Sequence, residues 1–149
     1  MDRVQLAREM KGVVGAEYVI SDPTELKVYE TDGLTIYKAA PDLVVLPATT
    51  EEVASVVRVC AGAKVPFVPR GAGTGLSGGA LPLDGGVVIG LNRMNRVLEV
   101  DYPNQRAVIE PGLVNIWLTN RVSPDGYYYA PDPASQTACS VGGNVAENS

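Results

Sequence analysis

Apolar residues recur every three or four positions near the start of the chain, which is the spacing of an amphipathic helix. They predict a helix over 4–14, which Asp2 could cap and either of two nearby glycines could end. Ser21-Asp22-Pro23 has the pattern of a second helix start, because proline suits the first helical position. We therefore expect a short helix towards Tyr29 and then a loop over 31–41.

A continuous apolar run over 43–46 ends at a proline and is typical of a buried strand. Thr49 and Glu52 form a capping-box pattern, and apolar residues at helical spacing continue from there as far as Gly62. A second short strand is predicted over 66–69. The order strand, helix, strand indicates a small parallel unit in which the helix crosses from one strand to the other.

The second half of the chain combines further short strands with one helix. The predicted elements are strands over 87–89, 97–100 and 107–110 and a helix over 114–122. Tyr127–Tyr129 is expected to form an edge strand, because aromatic residues favour strands. Small residues after Gly142-Gly143 have the pattern of another helix start.

The 149 residues fit one ordinary domain, and with 46% hydrophobic residues the chain can bury a core. No apolar run approaches the roughly 20 residues of a membrane span, and the N-terminus lacks the pattern of a signal peptide. The net charge is −5 and Lys and Arg do not cluster, so the composition argues against a nucleic-acid partner.

The chain contains no histidine. This excludes a Ser-His-Asp triad and a His-ligated zinc site within it, and we predict no metal ligands. If the protein is an enzyme, either a cofactor supplies the chemistry or the acid–base group lies elsewhere. Cys60 and Cys139 are far apart and form no CxxC motif, so we expect two buried free thiols in a cytoplasmic protein.

Five glycines and two hydroxyl residues lie within Arg70–Gly79, a segment called here the glycine loop. Glycine permits positive φ and lets a ligand approach the main chain, and successive backbone N–H groups can then converge on an anion. Thr74 and Ser77 add hydroxyl donors, and Arg70 can add positive charge. The composition predicts a pyrophosphate site, with a flexible hairpin loop as the alternative.

Residues 73–78 also match the GxGxxG pattern of nicotinamide-binding enzymes. In the Rossmann unit of those enzymes the last glycine opens a helix. Pro82 and Gly85-Gly86 follow here and argue against a helix, so a nicotinamide site is the weaker interpretation. A P-loop is excluded because the chain has no Gly-Lys followed by Ser or Thr.

A second glycine-bearing segment, Ala130–Asn144, is long, without regular periodicity, and rich in Pro, Ser and Thr. It is called here the second segment. Loops of this length in compact domains are often functional. Together with the glycine loop it could bind an extended ligand from two sides. The alternative interpretation of this segment is a plain surface loop.

Pro69–Ala80 (PRGAGTGLSGGA) and Pro131–Asn148 (PDPASQTACSVGGNVAEN) closely resemble the FAD-linked oxidase family. This is the vanillyl-alcohol-oxidase or p-cresol-methylhydroxylase type of flavoprotein. Tyr29–Leu34 and Asn92–Val97 are similar to its branch of glycolate oxidase flavin subunits and D-lactate dehydrogenases. The resemblance covers nearly the whole chain, and its motifs are long and specific.

The resemblance implies an α+β fold, the FAD-binding domain of the p-cresol-methylhydroxylase type, with FAD between two subdomains. It implies an N-terminal helical segment over 1–40 and the FAD-binding domain over 41–149. The first α/β subdomain would be complete and extend to residue 100 or so, and the second would begin there and be truncated. The cap domain is expected beyond Ser149, so the resemblance carries over no catalytic residue.

The resemblance also implies which residues bind the cofactor. Those around the pyrophosphate are Pro69, Arg70, Gly71, Ala72, Gly73, Thr74, Gly75, Leu76 and Ser77. Those on the opposite side are Pro133, Ala134, Ser135, Cys139, Ser140, Gly142, Gly143 and Asn144. Some relatives attach FAD through a histidine after Arg-x-x-Gly. Thr74 holds that position here, so FAD is expected to bind non-covalently.

The implied activity is that of a flavin-dependent dehydrogenase or oxidase that converts a 2-hydroxy acid, glycolate or D-lactate, to the 2-oxo acid. Electrons would pass to an iron–sulfur partner subunit, to a quinone-linked chain or to oxygen, and a partner could hold the protein at the inner face of a membrane. The 149 residues alone are expected to be inactive and to bind FAD poorly. An isolated, non-catalytic nucleotide-binding module is the alternative.

Overall fold

The computed structural model describes residues 2–149 and has an α+β fold, as predicted. Its helices are α1 (Arg3–Val14), α2 (Pro23–Leu26), α3 (Thr50–Ala63), α4 (Asn115–Val122) and α5 (Val141–Ala146). Its strands are β1 (Val19–Ile20), β2 (Leu43–Val45), β3 (Phe67–Arg70), β4 (Val87–Gly90), β5 (Val97–Asp101) and β6 (Arg106–Ile109). Within this range no helix is both long and apolar enough to cross a bilayer.

A four-stranded sheet in the order β1-β2-β4-β3 forms the first half of the fold. β4 runs parallel to both of its neighbours, with Val88 opposite Val44 of β2 and Val68 of β3. β1 pairs antiparallel with β2 at one edge. The predicted strand–helix–strand unit is present, but its two strands are not adjacent, because the later strand β4 inserts between them.

Both faces of this sheet are covered, which explains why β2 and β4 are continuous apolar runs. On one face Met10 of α1 and Cys60 of α3 are fully buried with alternate residues of the two strands. On the other face Leu26 of α2 packs with Val44 and Val88. Full burial of one such side chain contributes about 1.5–3 kcal/mol, so these layers hold the sheet in place.

The helix caps predicted from the sequence are present. Asp2 and Asp22 accept hydrogen bonds from backbone N–H groups in the first turns of α1 and α2. At the start of α3, Thr49 Oγ1 accepts from the N–H of Glu52 at 3.1 Å. The Glu52 carboxylate accepts in return from the N–H of Ala48 at 2.7 Å. The capping box therefore closes one residue earlier than the usual reciprocal bond to the capping residue.

β5 and β6 form an antiparallel hairpin that packs against α4 around Leu113, Leu118 and Val122. The carboxylate of Glu110, directly after β6, accepts hydrogen bonds from the backbone N–H of Arg96 at 2.8 Å and from its guanidinium at 2.7 Å. Glu110 is 7% exposed whereas the Arg96 side chain is 68% exposed, so this pair joins the two open ends of the hairpin at the surface.

Within the described residues no strand forms over Tyr127–Tyr129, so the prediction of an edge strand is wrong. The N–H of Tyr127 donates to the carbonyl of Val122, and the N–H of Tyr129 donates to the hydroxyl of Thr119. The Tyr127 ring packs on that of Tyr102, with centroids 5.2 Å apart. These local bonds to α4 override the strand preference of three aromatic residues.

The glycine loop leaves the sheet at the carboxyl end of β3, beside the carboxyl end of β4. The carbonyl of Arg70, the last residue of β3, accepts a hydrogen bond from the N–H of Leu91 at 3.0 Å. In open parallel sheets the ligand crevice lies at this end of the strands. The fold therefore presents the glycine loop where a ligand would be expected.

Candidate functional site

A cavity of about 540 Å³ lies between the glycine loop and the second segment. Every cofactor-binding residue predicted from the sequence lines this cavity except Ala134. Asp32, Leu91, Pro111 and Glu147 also line it and were not singled out as site residues. The fold thus brings together two segments that are remote in sequence and places a cavity between them.

The backbone N–H groups of residues 71–77 form a continuous run without partners. Among residues 2–149 no protein acceptor takes a hydrogen bond from any of these seven groups. Residues 71–77 are half-buried or exposed and line the cavity, so these donors are accessible to a ligand. Successive amides of this kind form a concave site for anions, and the run fits a pyrophosphate.

Two glycines in the loop have backbone angles that other residues rarely adopt. Gly73 has φ +72° and Gly78 has φ +79°. At Gly73 a Cβ atom would lie 2.2 Å from Nη2 of Arg70, so the main chain rests directly on the guanidinium. Glycine at this position is therefore required both by the backbone angle and by the close approach.

The Arg70 side chain lies beneath the glycine loop and is 8% exposed. Its guanidinium donates to the carbonyl of Thr31 at 2.8 Å and lies 5.7 Å from the centre of the Tyr29 ring. In the described part of the chain no carboxylate lies within ion-pair distance of it. Burial lowers the pKa of Arg70, but a guanidinium stays charged at neutral pH. Its positive charge therefore lies behind the run of free amides.

The second segment differs from the glycine loop because several of its amides are paired, within the segment or with the residues just before α4. The N–H groups of Ala138 and Cys139 donate to the carbonyl of Ser135, both at 2.8 Å. The N–H of Gly142 donates to the carbonyl of Pro111 at 2.9 Å. This segment is a preformed wall of the cavity, whereas the glycine loop is a row of open donors.

Buried side-chain amides hold this wall in place. Asn115 of α4 is 1% exposed, and its Nδ2 donates to Asn144 Oδ1 at 3.0 Å and to the carbonyl of Pro131 at 3.1 Å. Asn144 Nδ2 lies 3.3 Å from Cys139 Sγ and 3.2 Å from Ser149 Oγ. Asn115 therefore joins both ends of the second segment to α4. Its position within a predicted helix gave no sign of this role.

Two acidic residues at the cavity were missed by the sequence interpretation. Asp32 is 6% exposed, and its carboxylate accepts from the N–H groups of Leu34 and Gly78, each at 2.9 Å. Glu147 is exposed, and its carboxylate accepts a hydrogen bond from the Ser77 hydroxyl. Both residues lie in stretches that resemble the FAD-linked oxidase family. This resemblance was the only feature of the sequence that could have identified them as site residues.

The residues after the glycine loop form turns. The N–H of Leu81 donates to the carbonyl of Gly78, and the N–H of Gly85 donates to that of Pro82. Within the described residues no helix follows the GxGxxG pattern, so the prediction that it is not a Rossmann fingerprint is confirmed. The loop amides consequently have no helix dipole behind them.

Comparison with known proteins identifies relatives of the whole chain. A family model described as "FAD binding domain" matches residues 41–149. The chain is 45% identical over 148 residues to the glycolate oxidase subunit GlcD of Escherichia coli K12, covering 99% of this chain and 30% of that protein. It is 44% identical to the D-lactate dehydrogenase of Anaerostipes hadrus, covering 78% of this chain and 25% of that protein.

Solved structures show the same fold. A 4-ethylphenol oxidase from Gulosibacter chungangensis matches with a TM-score of 0.82 and 32% identity, covering 95% of this chain and 28% of that one. p-Cresol methylhydroxylase matches with a TM-score of 0.77 over 91% of this chain and 27% of that one. Its 23% identity supports the fold alone. The predicted p-cresol-methylhydroxylase type of fold is confirmed.

The sequence spans about a third or less of the length of each relative named above. The match to the family model covers most of the chain, including the glycine loop and the second segment. The chain therefore belongs to the FAD-binding domain family, and the FAD predicted from the sequence is the cofactor of that family.

Proposed function

We propose that this chain is the FAD-binding part of a flavin-dependent enzyme that oxidises a 2-hydroxy acid, glycolate or D-lactate, to the 2-oxo acid. The observation that carries the proposal is the run of seven unpaired amides along the cavity, in a chain of the FAD-binding domain family. The names of the curated relatives support the substrate class.

In this proposal the amides of residues 71–77 bind the pyrophosphate of FAD. The hydroxyls of Thr74 and Ser77 add donors at the same loop, and the buried Arg70 guanidinium supplies positive charge from behind it. Charge close to an anion and screened from water interacts more strongly than the same charge at the surface. The second segment forms the opposite wall of the site, with Ser140 and Asn144 facing the cavity.

FAD would bind non-covalently at this loop. The chain has no histidine, and Thr74 follows the Arg70–Gly73 run. When bound, FAD supplies the two-electron acceptor for oxidation of the hydroxy acid. The residues of this chain hold and orient the cofactor, and the substrate-binding and proton-accepting groups are proposed to lie in the part of the protein that this sequence does not include.

The domain division is also proposed, with residues 1–40 as an N-terminal helical segment, a first subdomain to residue 100 or so and part of a second one after it. α1 packs on α3 and β1 joins the first sheet, so the N-terminal segment shares the core of the first subdomain. An iron–sulfur partner subunit would accept the electrons and hold a cytoplasmic enzyme at the inner face of the membrane. The word "subunit" in the name of the Escherichia coli relative supports a partner.

Flavin content and its reduction by substrate test the proposal. The natural full-length protein should copurify with FAD, and its flavin absorption should bleach when glycolate or D-lactate is added without oxygen. A full-length protein that carries no flavin and binds NADH tightly would overturn the proposal.

A pair of glycine variants locates the cofactor. Gly73→Val should abolish FAD retention, because its side chain would meet the Arg70 guanidinium and its backbone would need a positive φ. Gly62→Ala is the matched control, because a Cβ there has no atom within 4 Å. It should retain FAD and gain about 0.5–1 kcal/mol of stability from the helix preference of alanine. Equal flavin content in the two variants would show that the glycine loop is not the pyrophosphate site.

A further inference from the structure

Residues Tyr29–Leu34, called here the N-terminal strap, lie along the glycine loop. The N–H of Gly33 donates to the carbonyl of Gly75 at 3.0 Å. The carboxylate of Asp32 accepts from the N–H of Gly78 at 2.9 Å. The strap therefore contacts the loop through one main-chain hydrogen bond and one side-chain hydrogen bond, and the region matched by the family model begins only at residue 41.

These contacts fix the directions in which the loop amides point. In a trans peptide the carbonyl and the following N–H point in opposite directions. The carbonyl of Gly75 points to Gly33, so the N–H of Leu76 points away from the strap. The carbonyl oxygen of Thr74 also faces Gly33, because a Cβ atom on Gly33 would lie 2.7 Å from it. The N–H of Gly75 consequently points away from the strap as well.

Asp32 ends the run of free donors. Its carboxylate accepts a hydrogen bond from the N–H of Gly78, the first amide after the unpaired run over 71–77. An aspartate that is 6% exposed is rare unless it is paired, and this one has two backbone donors, the N–H groups of Leu34 and Gly78. Arg70 donates to the carbonyl of Thr31 in the same strap, so both ends of the glycine loop are anchored there.

We propose that the N-terminal strap is part of the FAD site, and that Asp32 and Gly33 are positioning residues that aim the loop amides at the pyrophosphate. The inference rests on the proposed function. Asp32 acts through the loop, since its carboxylate accepts hydrogen bonds from two backbone N–H groups, one of them that of Gly78. Without this contact the loop would sample many glycine conformations, and FAD binding would then have to order it.

The test compares two aspartates in the full-length protein. Asp32→Asn keeps the shape but replaces one carboxylate oxygen by an NH₂ group that cannot accept from an N–H. Asp42→Asn is the matched control, because Asp42 accepts from the N–H of Gly86 at 2.7 Å across a similar sequence distance but does not line the cavity. The measurements are the Kd for FAD of the flavin-free protein, by flavin fluorescence quenching, and hydrogen exchange of the glycine-loop peptide without FAD.

Asp32→Asn should weaken FAD binding about tenfold, the equivalent of about 1.4 kcal/mol, and should speed exchange of the Gly78 N–H, the loop amide that the Asp32 carboxylate protects. Asp42→Asn should leave both unchanged. Gly33→Ala, whose Cβ would meet the Thr74 carbonyl, should weaken FAD binding by a similar factor. The Kd is measured where circular dichroism shows each variant fully folded, which separates positioning of the loop from loss of stability.

The outcomes separate the inference from the proposed function. If the wild-type protein binds FAD and both strap variants bind it with the same Kd, the strap has no positioning role, and the proposed function stands. Faster loop exchange with an unchanged Kd would overturn the inference in the same way. A wild-type protein that binds no FAD would overturn both.

Discussion

A Cβ atom at Gly71 would lie 2.2 Å from Oγ of Ser140, so the glycine loop and the second segment meet at a contact that only glycine permits. Ser140 is 4% exposed, and its Oγ also accepts from the N–H of Gly143 at the start of α5. One hydroxyl therefore caps a helix and sets the spacing between the two walls of the cavity.

Gly71→Ala should force the two walls apart and weaken FAD binding by about tenfold or more, because non-bonded heavy atoms cannot approach to that distance. Ser140→Ala in the same chain removes the clashing Oγ and leaves an ordinary contact of 3.5 Å with Ser140 Cβ. The double variant should therefore regain most of the lost affinity. Titration of FAD into the four proteins of this double-mutant cycle measures the coupling.

Ser140→Ala alone provides the control for the lost helix cap, which typically costs about 1 kcal/mol of stability. Its effect on the FAD Kd should be smaller than that of Gly71→Ala, because the walls keep their spacing. If the double variant binds FAD as weakly as Gly71→Ala alone, the contact between Gly71 and Ser140 does not determine the spacing of the cavity.

Asn115→Ala should destabilise the protein by about 1–3 kcal/mol, because it leaves the buried Asn144 Oδ1 without its amide donor and also removes the donor to the carbonyl of Pro131. It should also speed FAD release, because the second segment loses its link to α4. Urea unfolding followed by circular dichroism measures the stability, and the decay of bound flavin fluorescence after dilution measures the release.

Asn120→Ala on the same helix is the matched control, since Asn120 is exposed. Surface substitutions of this kind change stability by less than about 0.5 kcal/mol. Equal unfolding curves for the Asn115 and Asn120 variants would contradict the role given to the buried amide network.

Local sequence features predicted most of the helices and strands, and residues of both predicted segments line the cavity. The glycine loop could be found because five glycines and two hydroxyl residues lie in one short run, directly after a strand. The Asn115 network, the Asp32 contact with Gly78 and the insertion of β4 between β2 and β3 depend on residues far apart in the chain. No local pattern reports such partners. The edge strand predicted over Tyr127–Tyr129 was wrong for a different reason, because nearby hydrogen bonds to α4 outweigh the strand preference of the aromatic residues.

The ion pair between Glu110 and Arg96 makes stability depend on pH. The Arg96 guanidinium and backbone N–H, which both donate to the Glu110 carboxylate, lower the pKa of Glu110 in the folded protein. A carboxyl whose pKa is lowered by folding stabilises the folded state above its unfolded pKa of about 4.3 for glutamate. The stabilisation is lost as the pH falls through the lower, folded value.

Glu110→Gln should therefore cost about 1 kcal/mol at neutral pH, where a hydrogen-bonded charge with a solvent-exposed partner is replaced by a neutral amide. The difference in unfolding free energy from wild type should be constant above about pH 6 and should shrink below about pH 4. Urea unfolding of both proteins across this range gives the curve. Glu99→Gln, at an exposed position on β5, is the control for removing one negative charge from the hairpin. If the difference in unfolding free energy between wild type and Glu110→Gln stays constant down to the acid limit of folding, ionised Glu110 stabilises the protein no more than protonated Glu110 does.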